Sequence, residues 1–498
     1  MKENERVRVL VFGASGYIGS HLVPRLVAAG HVVRAASRSG AALSDRGWRD
    51  VECVSADALE PGSLDEALRD IEVAYYLVHS MASGRDFASR DRQAARNFRR
   101  AAERAGVERI VYLGGLQPSG ERSEHLESRG ETGEILRDGP IPVTELRAGI
   151  IVGAGSAAFE VIRDLSFHLR VMTTPRWVRS RTQPIALEDL LAYLVGVLAE
   201  PQTAGGTYDV AGPDVLTYEG MIRGFAEVVG RRVTILPVPV LSPRISSYWL
   251  DLVTAVPANV ARPLIDGLKH DLLADDAAIR ALIPMRLHGY REAIEQALAD
   301  ERRGTVPARW QEGAFVFRAG RPDVSFYSKR AGGTAPCHAS PEAAWQEIVS
   351  VGGQNGWPAY EALWRVRATL DRLVGGVGFR RGRRHPSEAR VGDAIDWWRV
   401  VAIEPGRRLT LLAEMKVPGA AVLELEVLPG ASESASTIAA TAYFHPAGVW
   451  GLLYWLTLLP VHGPVFRRLA GKLAERAEAR GGGTASSSGR ADEPALTS

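Results

Sequence analysis

The sequence predicts an α/β chain: a doubly wound parallel sheet, followed by a second part of α+β type built on an antiparallel sheet. Three observations carry this. Up to about residue 150, short apolar runs alternate with amphipathic stretches, the pattern of parallel strands covered by helices on both faces. The first run stops at a glycine turn, Gly13, Gly16 and Gly19, that opens a helix. Beyond Glu301-Arg302-Arg303-Gly304 the chain changes to alternating strands in succession, the mark of an antiparallel meander. At 498 residues the chain is too long for one ordinary core.

The elements follow in order. Val7–Phe12, Val32–Ala36, Val51–Ser55, Val73–Val78, Ile110–Gly114 and Val143–Leu146 read as strands, and Ser20–Ala29, Ser63–Asp70, Asp86–Ala105 and Glu121–Arg137 as the helices between them. Right-handed crossovers then wind the sheet and put a ligand at the carboxyl ends of its strands. From about 150 to 303 a smaller, substrate-side lobe is expected, which completes a first domain over 1–303. In it Pro184–Leu198 reads as a strand running into a helix, Gly206–Leu216 as strand and turn, Val233–Val240 as a proline-punctuated strand, and 245–298 as largely helical, with Tyr248-Trp249-Leu250 exposed.

In the second domain, 304–480, Val324–Lys329 reads as a strand. Ser340 caps a helix that carries Trp345 and Ile348 on its apolar face. Ile395–Ile403, Arg408–Lys416, Ala421–Leu428 and Ser436–Phe444 form the meander, and an amphipathic helix runs from Val461 to Ala479. Residues 481–498, GGGTASSSGRADEPALTS, read as a disordered tail.

Composition narrows the function. Hydrophobic residues make up 46% and charged residues 24%, as in a globular protein, and the net charge of +2 argues against a dedicated nucleic-acid binder. Two distant cysteines, Cys53 and Cys337, suggest neither a disulfide framework nor a metal cluster and fit a reducing compartment. The start, MKENERVRV, is charged and lacks an apolar signal region, so a cytoplasmic location is expected. Of 60 basic residues, lysine occurs only at 2, 269, 329, 416 and 472.

The glycine turn carries the chemistry. Gly13 permits the tight turn, Gly16 lets the backbone approach a pyrophosphate, and Gly19 lets the helix lie on the strand, with free N–H groups at its N-terminus facing the anion. After the second strand stand Ser37 and Arg38, where an enzyme preferring NAD usually has an acid. Arg38 is either a partner for a 2′-phosphate, which favours NADP over NAD, or a surface arginine. Asp57 either bonds the adenine amino group or forms an Asx-type turn.

These residues resemble the atypical, NmrA-like branch of the short-chain dehydrogenase/reductases. The matching pieces are GASGYIG at 13–19, SRS at 37–39, AD at 56–57, YYLVHSM at 75–81, VYLGGL at 111–116, RAGIIVGAG at 147–155, PIALEDL at 184–190 and GTYDVAGPDVLT at 206–217. The resemblance implies a Rossmann-like domain and a nicotinamide dinucleotide held by Gly13, Ser15, Gly16, Tyr17, Ile18, Gly19, Ser37, Arg38, Asp57 and Ala58. Val78, His79 and Ser80 would then lie near the nicotinamide ribose, and Leu113, Gly114 and Gly115 beside the ring. The family's usual Tyr-x-x-x-Lys pair and serine do not match. The serine position reads Gly114-Gly115, the helix reads SEHLESRGETGEIL at 123–136, and no lysine stands between 2 and 269. Arginine cannot replace a lysine that tunes a tyrosine, because it stays protonated. Three substitutes are open. His79 is either a proton donor or a histidine bonding loop backbone. Arg129 and Glu131, with Ser128, either hold ribose hydroxyls or a substrate anion, or form a solvated helix face. Tyr112 lies within a strand and reads as core.

The second domain resembles DUF2867, through ASPEAAWQEI at 339–348, DWWRVVAIEPGRRLTLLAEMKVPG at 396–419 and the C-terminal helix. That family is similar to START-like helix-grip proteins, and the pairing resembles bacterial proteins of the YbjT-like type. The resemblance implies a sheet wrapped round a long helix with an apolar cavity. Trp345, Trp357, Trp364, Trp397 and Trp398 either line that cavity or pack the core. Phe444–Phe466 has no charged side chain, but Pro446, Pro460 and Pro464 interrupt it. It reads as a buried helix bordering the cavity, with shallow membrane contact through 446–466 as the alternative. The expected function is an NAD(P)-dependent oxidoreductase of an apolar, carbonyl-type small molecule. The alternatives are a non-catalytic NADP-sensing or scaffold protein, and a lipid or quinone carrier.

Overall fold

The computed structural model describes residues 6–38, 43, 46–79, 87–118, 120, 122–169, 171–174, 176–237, 270–303, 327–373, 375–378, 383–430 and 435–485. The chain forms two compact units, Met1–Gln311 and Glu312–Ser498. The boundary expected at 303/304 adjoins residues 304–326, which lie outside those described.

The first unit holds a seven-stranded sheet: β1 Arg8–Phe12, β2 Val32–Ser37, β3 Val51–Ser55, β4 Val73–Tyr76, β5 Arg109–Gly115, β6 Val143–Ala148 and, later in the chain, Thr207–Val210. All pairings are parallel, in the spatial order Thr207–Val210, β6, β5, β4, β1, β2, β3. Along β1, Val9 and Val11 bury against Leu22 and Leu26 of the helix Tyr17–Ala28 and Leu190 and Leu194 of Leu187–Ala199. Leu10 and Phe12 point the other way, onto Leu64 and Leu68 of Pro61–Leu68 and Phe98 of Phe87–Ala105. A strand that is apolar at every position is needed because both faces are covered. β1 lies between β2 and β4, so the chain reverses its direction of travel across the sheet there, and the crevice opens at that point.

Local chemistry sets the helix starts. Pro61 begins its helix at the first turn, where a missing N–H costs nothing. Glu124–Arg137 begins three residues later than the sequence predicts, because Ser123 caps it by accepting from Leu126 N. The lobe after β6 is built from two-stranded ladders, Ile151–Val152 with Ile185–Ala186, Arg181–Thr182 with Leu216–Thr217, and Val171–Thr174 with Thr234–Pro237. Of the predicted helical stretch, Ala277–Leu282 and Tyr290–Arg303 are helices, while Tyr248-Trp249-Leu250 lies outside the described residues.

The second unit is a six-stranded antiparallel sheet, with strands Lys329–Cys337, Ser436–Pro446, Gly419–Pro429, Arg408–Ala413, Trp398–Glu404 and Ala394–Ile395 in spatial order. The helix Gly448–Ala485 lies on it, burying Leu469, Leu473 and Ala477. The first strand corrects the sequence reading, which ended it at Lys329. Gly332-Gly333 and Pro336 look like loop signals, but this is an edge strand, where proline is tolerated. A Cβ at Gly333 would stand 2.5 Å from Arg467 Cα, so the glycine admits the crossing helix. The tryptophans pack on one another, Trp364 on Trp397 at 5.8 Å and Trp357 on Trp398 at 6.2 Å, as core.

The C-terminal helix also differs from expectation. It begins at Gly448 instead of Val461 and runs through 481–485, so the predicted tail is partly helical. Its apolar first half is buried on one face only: Leu452 and Trp455 are buried, while Trp450 is 76% exposed and Leu453, Leu456, Leu459 and Val461 are exposed too. Among the described residues, this helix is long and apolar enough to cross a membrane by length and composition, a test that core helices of soluble proteins also pass.

Candidate functional site

At the carboxyl end of β1 the chain must turn at once into the helix Tyr17–Ala28. Gly13 does this at φ +95°, which costs glycine nothing, and its N–H donates to the Ala36 carbonyl at 3.0 Å. A Cβ on Gly19 would stand 2.4 Å from Gly13 O and 2.7 Å from Ala14 Cα, so only glycine allows this approach. Gly16 is the N-cap, with no side chain to occupy the free N–H groups, and the first helical turn carries no acid. The helix end is therefore open to an anion.

A cavity of about 300 Å³ runs from this turn along the strand ends. Of the residues named from sequence, it is lined by Gly13, Ser15, Gly16, Ser37, Arg38, Asp57, Ala58, Val78 and His79. Tyr17 and Ile18 instead pack against the core, Gly19 lies under the turn, and Gly114 is within β5. Ser80 lies outside the described residues. Asp57 lines the cavity but also makes the Asx turn, its Oδ1 accepting from Leu59 N at 2.9 Å. Sequence reasoning missed Arg90, which brings a second cation to the cavity lining. A glycine cradle, an open helix end and two guanidiniums fit a dinucleotide.

One lining residue, His79, belongs to a polar cluster. β4 delivers His79, whose Nδ1 lies 2.7 Å from Asp91 Oδ2. Asp91 is buried on the helix Phe87–Ala105 and also accepts from Ser128 Oγ at 3.3 Å. His79 Nε2 lies 3.1 Å from Nδ1 of His125, on the helix Glu124–Arg137. Burial holds His79 below the usual histidine range against the pull of Asp91, with Arg129 adding to the depression. Burial, then the charges of His79 and Arg129, push His125 down to about 3. Both rings are therefore neutral at pH 7.

Arg129 is fixed within the fold. Its guanidinium donates to the Leu113 carbonyl and lies 5.5 Å from the centre of the Tyr112 ring, while Tyr112 donates to the Arg129 carbonyl at 2.9 Å. Glu131 pairs with Arg92 at 2.8 Å on the partly exposed side of its helix. The absence of a serine at Gly114 has a cause: a Cβ there would stand 2.8 Å from Oε1 of buried Glu145, which Arg137 and Arg147 hold. His125 was missed from sequence. Its available signal was the i, i+4 spacing to Arg129, which puts both on one helix face.

Residues 13–139 match the family model described as NAD(P)H-binding, and residues 324–469 match the family of unknown function DUF2867. The chain joins an NAD(P)H-binding domain to a DUF2867 domain. The resemblances drawn from the glycine turn and from the tryptophan-rich strands are borne out at this level. The chain is similar to NADH dehydrogenase (ubiquinone) 1 alpha subcomplex subunit 9 of Dictyostelium discoideum, 26% identical over 220 residues, covering 42% of this chain and 60% of that protein. It therefore spans less than two thirds of that relative's length. It is also similar to (4-alkanoyl-5-oxo-2,5-dihydrofuran-3-yl)methyl phosphate reductase of Streptomyces griseus, 27% identical over 232 residues, covering 45% of this chain and 74% of that protein. Among solved structures it is similar to an Escherichia coli NADPH-dependent quinone oxidoreductase complexed with NADPH, with a TM-score of 0.49 and 21% identity over 58% of this chain and 99% of that one. The cavity of the NAD(P)H-binding domain is lined by its glycine turn and by His79, which Asp91 holds.

Proposed function

We propose that this chain is an NADPH-dependent reductase of an apolar, carbonyl-bearing small molecule. One observation carries the reading: a single cavity is lined both by phosphate-binding features and by an Asp91-held imidazole. Gly13 and Gly16 let the backbone approach the pyrophosphate, and Arg38 pairs with a 2′-phosphate, so NADPH is preferred over NADH. The nicotinamide, when bound, supplies hydride. The protein's own part is to position a substrate carbonyl near His79, keep water away and move one proton. The Streptomyces relative, named as a reductase of an alkanoyl- and oxo-bearing methyl phosphate, supports a carbonyl-bearing small molecule, though its named compound is charged. A cytoplasmic setting agrees with free Cys53 and Cys337.

A second reading has the dinucleotide bound but not turned over. It is favoured by Arg129, whose guanidinium is committed to the Leu113 carbonyl instead of a ribose. NADPH oxidation against a panel of aldehydes, ketones and quinones separates the two. Reduction of at least one apolar carbonyl is expected. Tight NADPH binding with no oxidation, unchanged in His79→Ala, would favour the second reading.

A further inference from the structure

Resting on the reductase reading, we propose that His125 is the residue that exchanges a proton with the substrate, and that Asp91 and His79 behind it set its tautomer and resupply it. The three groups form a line, Asp91 Oδ2 to His79 Nδ1 at 2.7 Å and His79 Nε2 to His125 Nδ1 at 3.1 Å. Both nitrogens of His79 are therefore engaged inside the protein, so His79 has no free nitrogen to offer a substrate. Among the described residues, Nε2 of His125 has no hydrogen-bond partner, and it is the end of the line. His125 is half-buried, whereas Asp91 is buried.

Hydrogen-bond roles order the line. The Asp91 carboxylate only accepts, so His79 carries its proton on Nδ1 and leaves Nε2 as an acceptor. His125 must then donate from Nδ1 and present a lone pair at Nε2. Adding one proton reverses the second link. His79 holds both protons with its charge beside Asp91, donates to His125 Nδ1, and His125 presents N–H at Nε2. The line thus offers a proton at Nε2 without His125 itself becoming a stable cation, in keeping with the depth to which burial depresses its basicity.

In reduction, the carbonyl carbon gains a hydride from the reduced nicotinamide and the C=O π pair moves to oxygen. That oxygen takes the proton from Nε2 of His125. The proton between the rings passes from His79 to Nδ1 of His125, and the line regains one proton from water. The products are an alcohol and the oxidised nicotinamide. The charged or titratable groups facing the two rings from the described elements are Asp91 from its helix, Arg129 from the helix of His125, and the Tyr76 and Tyr112 phenols near Asp91.

Two measurements on the full chain test this. The first is ¹⁵N NMR of the imidazoles without cofactor. Expected are Nδ1–H tautomers for both His79 and His125, joint titration of the pair as a single proton, and loss of the tautomer order in Asp91→Asn. Independent titration of the two rings, or tautomers unchanged in Asp91→Asn, would overturn the relay whatever the enzyme reduces. The second is single-turnover NADPH oxidation with a substrate found in the panel. His125→Gln is expected to lower the rate about 100-fold or more with NADPH affinity within about threefold of wild type. Added imidazole is expected to restore part of the loss in His125→Ala. A wild-type rate in His125→Gln, or no rescue, would overturn the role of His125 and leave the reductase reading intact. Absence of turnover in the wild type would overturn that reading and, with it, the substrate role of His125. The NMR result would still decide the relay.

Discussion

His125 is a half-buried base with its basicity pushed down to about 3, and that has a consequence for stability. In the unfolded chain it takes up a proton near pH 6.5, while the folded protein does not until about 3. Between these values the unfolded state binds more protons, so stability falls as pH drops below 6.5, by at most about 1.4 kcal/mol per pH unit for one group. His125→Asn removes this contribution. Urea unfolding from pH 7 to pH 4 is expected to show a shallower acid loss in the variant than in the wild type, and equal slopes would contradict the burial of a neutral ring. The glycine turn, Arg38 and His79 were legible in the sequence, because each sits at a strand end that its own apolar run announces. Asp91 and His125 were not. Asp91 lies in SRDRQAARNFRR, where so many charges read as a solvated face, and only the packing of two helices makes it an interior carboxylate beside His79.

At the scale of elements, the inner strands of the parallel sheet were readable because burial on both faces makes most of their positions apolar, as in Val9–Phe12 and Val73–Tyr76. The edge strand Lys329–Cys337 was not, because Gly333 answers to a helix more than a hundred residues away. The first half of the helix Gly448–Ala485 buries Leu452 and Trp455 on one face and exposes Trp450, Leu453 and Leu456 on the other. Exposed Arg467 and Arg468 follow directly. On these grounds we propose that this helix lies on an anionic lipid surface, with Pro460 and Pro464 and its packed face opposing a span. Vesicles containing phosphatidylglycerol are expected to shift Trp fluorescence to the blue, and Trp450→Ser with Leu453→Ser is expected to abolish the shift while changing stability by less than about 0.5 kcal/mol. Binding only to neutral vesicles, or to none, would contradict this placement.

For the whole molecule, the division into two units was legible from the change of pattern after Gly304, since βαβ winding and an antiparallel meander cannot share one sheet plan. The substrate was not, because the sequence does not show which helices meet over the strand ends. Each unit has its own core, so each is expected to unfold in its own transition, and the dinucleotide is expected to act on one of them. Scanning calorimetry of the full chain with NADPH, with NADH and with neither, on the wild type and on Arg38→Ala, tests the central claim most directly. The account requires that NADPH at a hundred times its Kd stabilise only the unit Met1–Gln311, by about 2.7 kcal/mol. NADH should do less at equal concentration, and the difference should vanish in Arg38→Ala. Two transitions unmoved by NADPH, or a preference for NADPH that survives in Arg38→Ala, would contradict it.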